Sequence, residues 1–121
     1  MRTVDTWYRK SQEQAWTRGN AWTLTIGQRE RTGTYGKKII EKTISAQSDG
    51  LTIGQLRYLL SPSQPIYVYT IDVAKSRQRE GIATAMIERL CNEEGVEYSE
   101  IAWSNLYPDG KALKDALDKS L

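Results

Sequence analysis

Two patterns of apolar residues follow one another in the middle of the chain, over residues 66 to 94. From residue 66 to 73 the side chains are mostly apolar, aromatic or β-branched, which favours an extended strand. After Gly81 the period changes, because Ile82, Met86 and Leu90 recur at every fourth position and form one apolar stripe. The pattern therefore predicts a central strand, a polar loop and an amphipathic helix that ends near Gly95.

The pattern of the first 36 residues predicts a helix, a strand and a loop. Apolar residues at helical spacing favour a helix over residues 3 to 18, and the following Gly-Asn pair would end it. Alternating apolar and polar residues from 21 to 28 predict a half-buried strand. The polar, glycine-containing stretch from 29 to 36 has only Tyr35 to anchor it, so we expect a mobile loop there.

A hairpin and a strand-helix-strand unit account for the rest of the chain. The Asp49-Gly50 pair between residues 37 to 47 and 51 to 59 predicts two antiparallel strands joined by a tight turn. A strand over residues 98 to 104 would lie parallel to the central strand, because a helix separates the two. A last helix starts at Pro108.

The predicted fold class is therefore α+β: a mixed, mainly antiparallel sheet with one parallel crossover. At 121 residues we expect a single domain over residues 1 to 121.

The joint between the central strand and its helix is the most informative segment for function. Residues Gln78-x-x-Gly81-x-Ala83 lie where a helix begins, so several backbone N–H groups there lack intrahelical partners. Gly81 has no side chain to block a ligand, and Arg77 and Arg79 flank the site. Such a helix start favours a phosphate-sized anion, although an ordinary strand-to-helix turn would carry the same residues.

The whole stretch resembles the acetyl-coenzyme A motif of the GNAT acetyltransferase superfamily. The resemblance rests on Ile71-x-Val73-x-Lys75-x-x-Gln78-x-x-Gly81-Ile82-Ala83-Thr84. It departs from the usual family pattern at Lys75, where proline is common. The predicted order of elements from residue 37 onward is also that of the GNAT core.

The resemblance implies acetyl-coenzyme A as co-substrate and assigns residues to it. Ile71 and Val73 would face the pantetheine arm, which Asn105 would also contact. A polar residue that precedes a helix and satisfies backbone groups fits Asn105 equally well. The pyrophosphate would rest on the segment formed by Gln78, Arg79, Gly81, Ile82, Ala83 and Thr84.

The implied reaction is direct transfer of an acetyl group to an amine of a small molecule or a protein. A protonated amine must first lose a proton, and Glu41, Asp72 and Glu100 are the candidate bases. A backbone N–H near Asp72 could stabilise the oxyanion. The family's acid is usually a tyrosine in the last helix, which has none here, so Tyr107 is the nearest stand-in or else a packing residue.

Two other functions compete with acetyl transfer. Family members usually continue with two more strands that border the acceptor site, and this sequence stops before them. Either the acceptor side is open or a second copy completes it, and we expect a homodimer. The missing strands and the missing tyrosine are also compatible with a non-catalytic protein-binding module of this fold, with or without coenzyme A. Nucleic-acid binding by the basic N-terminal half, with its Trp and Tyr residues, rests on charge and composition alone.

Composition narrows these choices. The chain has no His and only Cys91, which argues against zinc and haem sites, an intrachain disulfide and a histidine base. Residues 1 to 42 carry nine Lys or Arg against four Asp or Glu, while the remaining residues carry eight against eleven. Scattered charges of this kind usually form a solvated surface. No apolar run is long enough to span a membrane and no signal pattern is present, so we expect a cytoplasmic protein.

Overall fold

The computed structural model describes residues 22–78, 80–106 and 108–121; the helix predicted over residues 3 to 18 lies outside them. The described residues form a five-stranded sheet in the order β1-β2-β3-β4-β5, with two α-helices. This confirms the predicted α+β class. The elements are β1 (Thr23–Thr32), β2 (Lys38–Ser48), β3 (Leu51–Leu60), β4 (Tyr67–Val73), α1 (Ile82–Glu94), β5 (Ala102–Trp103) and α2 (Pro108–Ser120).

Strands β2 and β3 form the predicted antiparallel hairpin. Asp49 and Gly50, the two residues between the strands, have φ angles of 52° and 79°. Positive φ at both central positions matches the right-handed twist of the flanking strands and is why an Asp-Gly pair is favoured there. The turn sets the pairing of Ser48 with Leu51, and a bulge at Ile53 then shifts the register by one residue, so that Ile44 lies opposite Leu56 on one face of the sheet.

Strand β1 is longer than its alternation pattern predicted. It runs to Thr32, so the loop expected from residue 29 is wrong over residues 29 to 32, and only Thr34–Gly36 form a short 3-10 turn. Arg29 lies directly opposite Glu41 on β2 and forms an ion pair with it at 3.1 Å. This cross-strand ion pair stabilises the extended conformation of a polar segment, so the strand continues beyond the alternating pattern.

Strands β4 and β5 are parallel, as the strand-helix-strand pattern predicted, but β5 is shorter than expected. Only Ala102 and Trp103 are extended, because residues Tyr98–Glu100 form a 3-10 turn instead. The turn is held by Glu97 and Glu100, since the side chain of Glu100 accepts from the Glu97 N–H at 2.8 Å. The N–H groups of Glu97, Glu100 and Ile101 therefore bond within the turn.

The hydrophobic core lies between α1 and the sheet. Ile82, Met86 and Leu90 of α1 are fully buried, as are Ile44 of β2 and Leu56 of β3. We call this side of the sheet the α1 face. No helix in the described part of the chain is long and apolar enough to cross a membrane.

A buried polar group fastens the end of α1 to the sheet. The ammonium of Lys42 contacts the Glu94 carboxylate at 2.6 Å, and the hydroxyl of the fully buried Tyr58 donates to the same carboxylate at 2.8 Å. Burying a charge costs free energy unless the charge is paired, so each of these three side chains needs the others to remain buried.

Replacing Lys42 with Met should leave the Glu94 charge buried without a cation. We expect a loss of about 3 kcal/mol in the free energy of unfolding, measured by urea denaturation. The double variant Lys42→Met/Glu94→Gln keeps an acceptor for Tyr58 and removes the stranded charge, so it should recover most of that loss. Equal stability of the single variant and the unmodified protein would contradict this account.

Candidate functional site

The paired region between β4 and β5 ends early and leaves part of β4 uncovered. Only two residue pairs are in parallel register, Tyr67 with Ala102 and Val68 with Trp103. Beyond them, the N–H of Ser104 donates to the Val68 carbonyl at 3.0 Å and its hydroxyl to the Tyr69 carbonyl at 3.0 Å. Past that point no strand of the described chain pairs with residues 70–73 on this side. We call this uncovered edge the β4 gap.

Ile71 and Val73 turn their backbone groups into the β4 gap. Val73 lies opposite Gly54, and Ala74 N–H donates to the Ile53 carbonyl at 2.8 Å. This bonding makes Val73 a non-hydrogen-bonded position towards β3, and two residues earlier Ile71 has the same orientation. These are the two residues that the resemblance assigned to the pantetheine arm.

The two carbonyl groups that face the gap already have neighbours. The side-chain amide of Gln78 donates to the Val73 carbonyl at 3.1 Å. Gly110 in the first turn of α2 lies so near that a Cβ there would be 3.1 Å from the Ile71 carbonyl oxygen. The N–H groups of Ile71 and Val73 have no acceptor among the residues that the structure describes.

Helix α1 begins beside the β4 gap with unpaired amides. Gly81 is the N-cap with a φ of 82°, a left-handed conformation that favours glycine. The first intrahelical bond runs from the Ala85 N–H to the Gly81 carbonyl at 2.9 Å. Within the described ranges, the preceding N–H groups of Ile82, Ala83 and Thr84 donate to no protein acceptor. A Cβ at Gly81 would meet nothing within 4 Å, so the approach is open.

The structure separates the other predicted site residues. Gln78 directs its amide back to β4 rather than outward, and the Arg77 guanidinium binds the Glu80 carboxylate at 2.7 Å. The Ile82 side chain is in the core, so only its amide can face a ligand. Asn105 is exposed just after β5. Arg79 and Tyr107 lie outside the described residues.

Strand β4 also carries a bulge that the alternation pattern did not predict. The register with β3 shifts between Arg57 and Tyr58, which leaves Tyr69 without an opposite residue. The bulge coincides with the end of β4–β5 pairing, as bulges commonly do where a ladder is interrupted. The bulge lies inside an unbroken run of apolar and aromatic residues, 66 to 69, in which no alternation marks it.

The side chain of Tyr69 reaches across the sheet to Glu41. Its hydroxyl donates to Glu41 Oε2 at 2.5 Å, while Arg29 and Arg31 bind Oε1, each at 3.1 Å. The hydrogen bond from Tyr69, with the two guanidinium groups, holds the pKa of Glu41 below its usual value, although burial opposes the shift. Burial, followed by the Glu41 hydrogen bond, raises the pKa of Tyr69. Glu41 is therefore an ionised, fully engaged carboxylate and is poorly suited to take up a proton.

Replacing Tyr69 with Phe should destabilise the fold in a pH-dependent way. A folded-state pKa of Glu41 below the unfolded value means that its contribution is present at neutral pH and is lost as the pH falls through the folded pKa. We expect a loss of about 1.5–3 kcal/mol at pH 7, shrinking below about pH 4. Urea unfolding at several pH values measures it.

The control for this variant is Tyr35→Phe, because Tyr35 is 96% exposed and its loss of a hydroxyl should change stability little at any pH. A Tyr69→Phe deficit that does not shrink at any acidic pH at which the protein still folds would mean that the hydrogen bond does not depend on the ionised carboxylate.

Comparison with known proteins supports the fold. No protein-family model matches the chain, and no curated protein matches it in sequence. Among solved structures it is similar to a ribosomal-protein-alanine N-acetyltransferase from Brucella melitensis biovar Abortus 2308, with a TM-score of 0.51 and 19% identity. The match covers 66% of this chain and 62% of that protein, so the chain spans less than two thirds of its neighbour. At this identity the likeness confirms a GNAT-like fold and nothing finer.

Proposed function

We propose that the chain is an N-acetyltransferase that moves an acetyl group from acetyl-coenzyme A to an amine, on a small molecule or a protein. The observation that carries the proposal is the juxtaposition of the β4 gap with the unpaired amides that begin α1. A strand edge with free N–H groups suits an amide-containing chain such as pantetheine, and a helix N-terminus suits a pyrophosphate. The GNAT-like fold supports the same assignment.

The residues at the helix start fit the coenzyme. Gly81 leaves open space, and the N–H groups of Ile82, Ala83 and Thr84 have no protein acceptor in the described ranges. Ile71 and Val73 would bind the pantetheine arm through their gap-facing N–H groups. Gln78 would support the loop through its bond to Val73, and Arg79 and Asn105 remain assigned as predicted.

Asp72 is the candidate base that the structure favours. It is exposed on β4 between the two gap-facing residues, whereas Glu41 is engaged and Glu100 caps its own 3-10 turn. Its carboxylate would accept a proton from the acceptor's ammonium group. The oxyanion would bind one of the two gap-facing N–H groups, of Ile71 or Val73, and the other would serve the pantetheine arm, since the Asp72 backbone belongs to the ladder with β3. Tyr107 stays the proposed acid for the leaving thiolate.

One observation favours a second candidate function. Gly110 packs against the Ile71 carbonyl, so the first turn of α2 lies along the edge where the pantetheine arm would run. If α2 stays there, the chain would be a non-catalytic, protein-binding member of this fold. Thioester cleavage with an amine panel, including a peptide with an N-terminal alanine, separates the two functions.

The proposal includes a cytoplasmic homodimer in which a second copy borders the acceptor side of the β4 gap. The two-residue β5 supports it, because so short a strand leaves residues 70–73 of β4 without a pairing strand on that side in the described chain. Light scattering should give a mass of twice the 13.8 kDa chain. A single-chain mass at high concentration would contradict the dimer.

Adding acetyl-coenzyme A should raise the thermal unfolding temperature. At about 100 times the dissociation constant a ligand adds roughly 2.7 kcal/mol, which for this size is on the order of ten degrees. Gly81→Asp should abolish the increase, because its carboxylate would occupy the open space in front of the amides and repel the pyrophosphate.

Gly95→Asp is the matched control. Gly95 ends the same helix, also has a positive φ (69°), and a Cβ there also meets nothing within 4 Å. It therefore carries a similar backbone strain far from the α1 start and should keep the full increase. No increase in the unmodified protein would remove the coenzyme from the proposal, and an increase retained in Gly81→Asp would mean that the pyrophosphate binds elsewhere.

A further inference from the structure

Two oppositely charged side chains lie beside the β4 gap on the face of the sheet away from α1. On β3, Arg57 is opposite Thr70, and Gln55 is opposite Asp72. Leu56, between them, is buried on the α1 face, so Arg57 and Gln55 project from the other face, together with Asp72. Arg57 and Asp72 are thus diagonal neighbours, with Cα atoms about 7–8 Å apart.

Arg57 has no carboxylate partner among the described residues. Its guanidinium donates to the Gln55 side chain at 3.3 Å and lies beside the hydroxyl of Tyr69, both of which are neutral groups. The nearby Glu41 carboxylate is already occupied by Arg29, Arg31 and Tyr69. Arg57 is half-buried and Asp72 is exposed, and no ion pair joins the two in the described chain. The guanidinium therefore keeps donors for an external oxyanion.

We propose that Arg57 and Asp72 select an acceptor that carries both an amine and a free carboxylate, that is, an amino acid. This inference rests on the proposed function and names its substrate class. Asp72 binds the ammonium group beside the gap-facing N–H groups, and Arg57 binds the carboxylate in the bidentate manner that guanidinium groups favour. Since α1 covers one face of the sheet, the acceptor reaches the β4 gap from the other, where both side chains project.

Acetyl transfer to L-alanine and to L-alaninamide tests the selection. The two acceptors have the same amine-bearing carbon, but only alanine has the carboxylate. We expect kcat/KM to favour alanine in the unmodified protein. Arg57→Met should lower kcat/KM for alanine by about tenfold to a hundredfold and leave alaninamide nearly unchanged. Arg57→Lys should restore part of the preference for alanine, because lysine carries the positive charge but lacks the planar guanidinium that binds a carboxylate through two N–H groups.

Lys38→Met is the control, since it removes a cation from β2 that is 69% exposed and lies outside the network of Glu41, Arg29, Arg31 and Tyr69. It should leave the ratio between the two acceptors as it is in the unmodified protein. An equal loss for both acceptors in Arg57→Met would assign Arg57 to folding and overturn the proposal. Preference for alaninamide, or for a peptide over the free amino acid, would also overturn it.

A binding measurement separates this inference from the proposed function. L-alanine is titrated without coenzyme while the side-chain Nε–H signal of Arg57 is followed by NMR. A saturable shift with L-alanine that is absent with L-alaninamide supports the site even if no acetyl transfer occurs. No shift with either compound overturns it, whether or not the protein proves to be an acetyltransferase.

Discussion

The early end of the parallel pairing between β4 and β5 is the constraint on which the site depends. The bulge at Tyr69 shifts the register of β4. Ser104 then donates two hydrogen bonds, from its N–H to the Val68 carbonyl and from its hydroxyl to the Tyr69 carbonyl. These are the last bonds between β4 and the β5 segment in the described chain. The rest of β4 therefore keeps N–H groups on that edge that have no acceptor in the described chain. Leaving backbone N–H groups unpaired between two strands costs free energy unless a ligand or another chain accepts hydrogen bonds from them.

The surrounding structure holds that edge in place from two sides. Tyr69 is fixed by Glu41 and its two arginines, which connect β1, β2 and β4 across one face of the sheet. On the other face, Lys42, Tyr58 and Glu94 fasten the end of α1. The start of α1 is thereby kept beside the gap, with its amides and the edge of β4 at one end of the sheet.

Much of this fold could be predicted from the sequence, because its signals are local. The Asp49-Gly50 turn, the apolar stripe of α1 and the strand-helix-strand order each follow from side-chain type and spacing. Of the features that were missed, the length of β1 depends on a distant partner and the length of β5 on a local turn. Strand β1 continues to Thr32 because Glu41 lies opposite Arg29, and β5 stops early because residues 98 to 100 bond among themselves. The helix start was predictable from its residues, whereas the place of Ile71 and Val73 was implied only by the family resemblance and the pairing of Gln78 with Val73 was not predicted.

The central claim is that one ligand lies along β4 and ends at the α1 start. The most direct test is an amide NMR titration of the uniformly labelled protein with acetyl-coenzyme A. The account predicts that the signals of Ile71, Val73, Ile82, Ala83 and Thr84 shift together with one saturation curve. Shifts confined to other regions, or none at all, would contradict it.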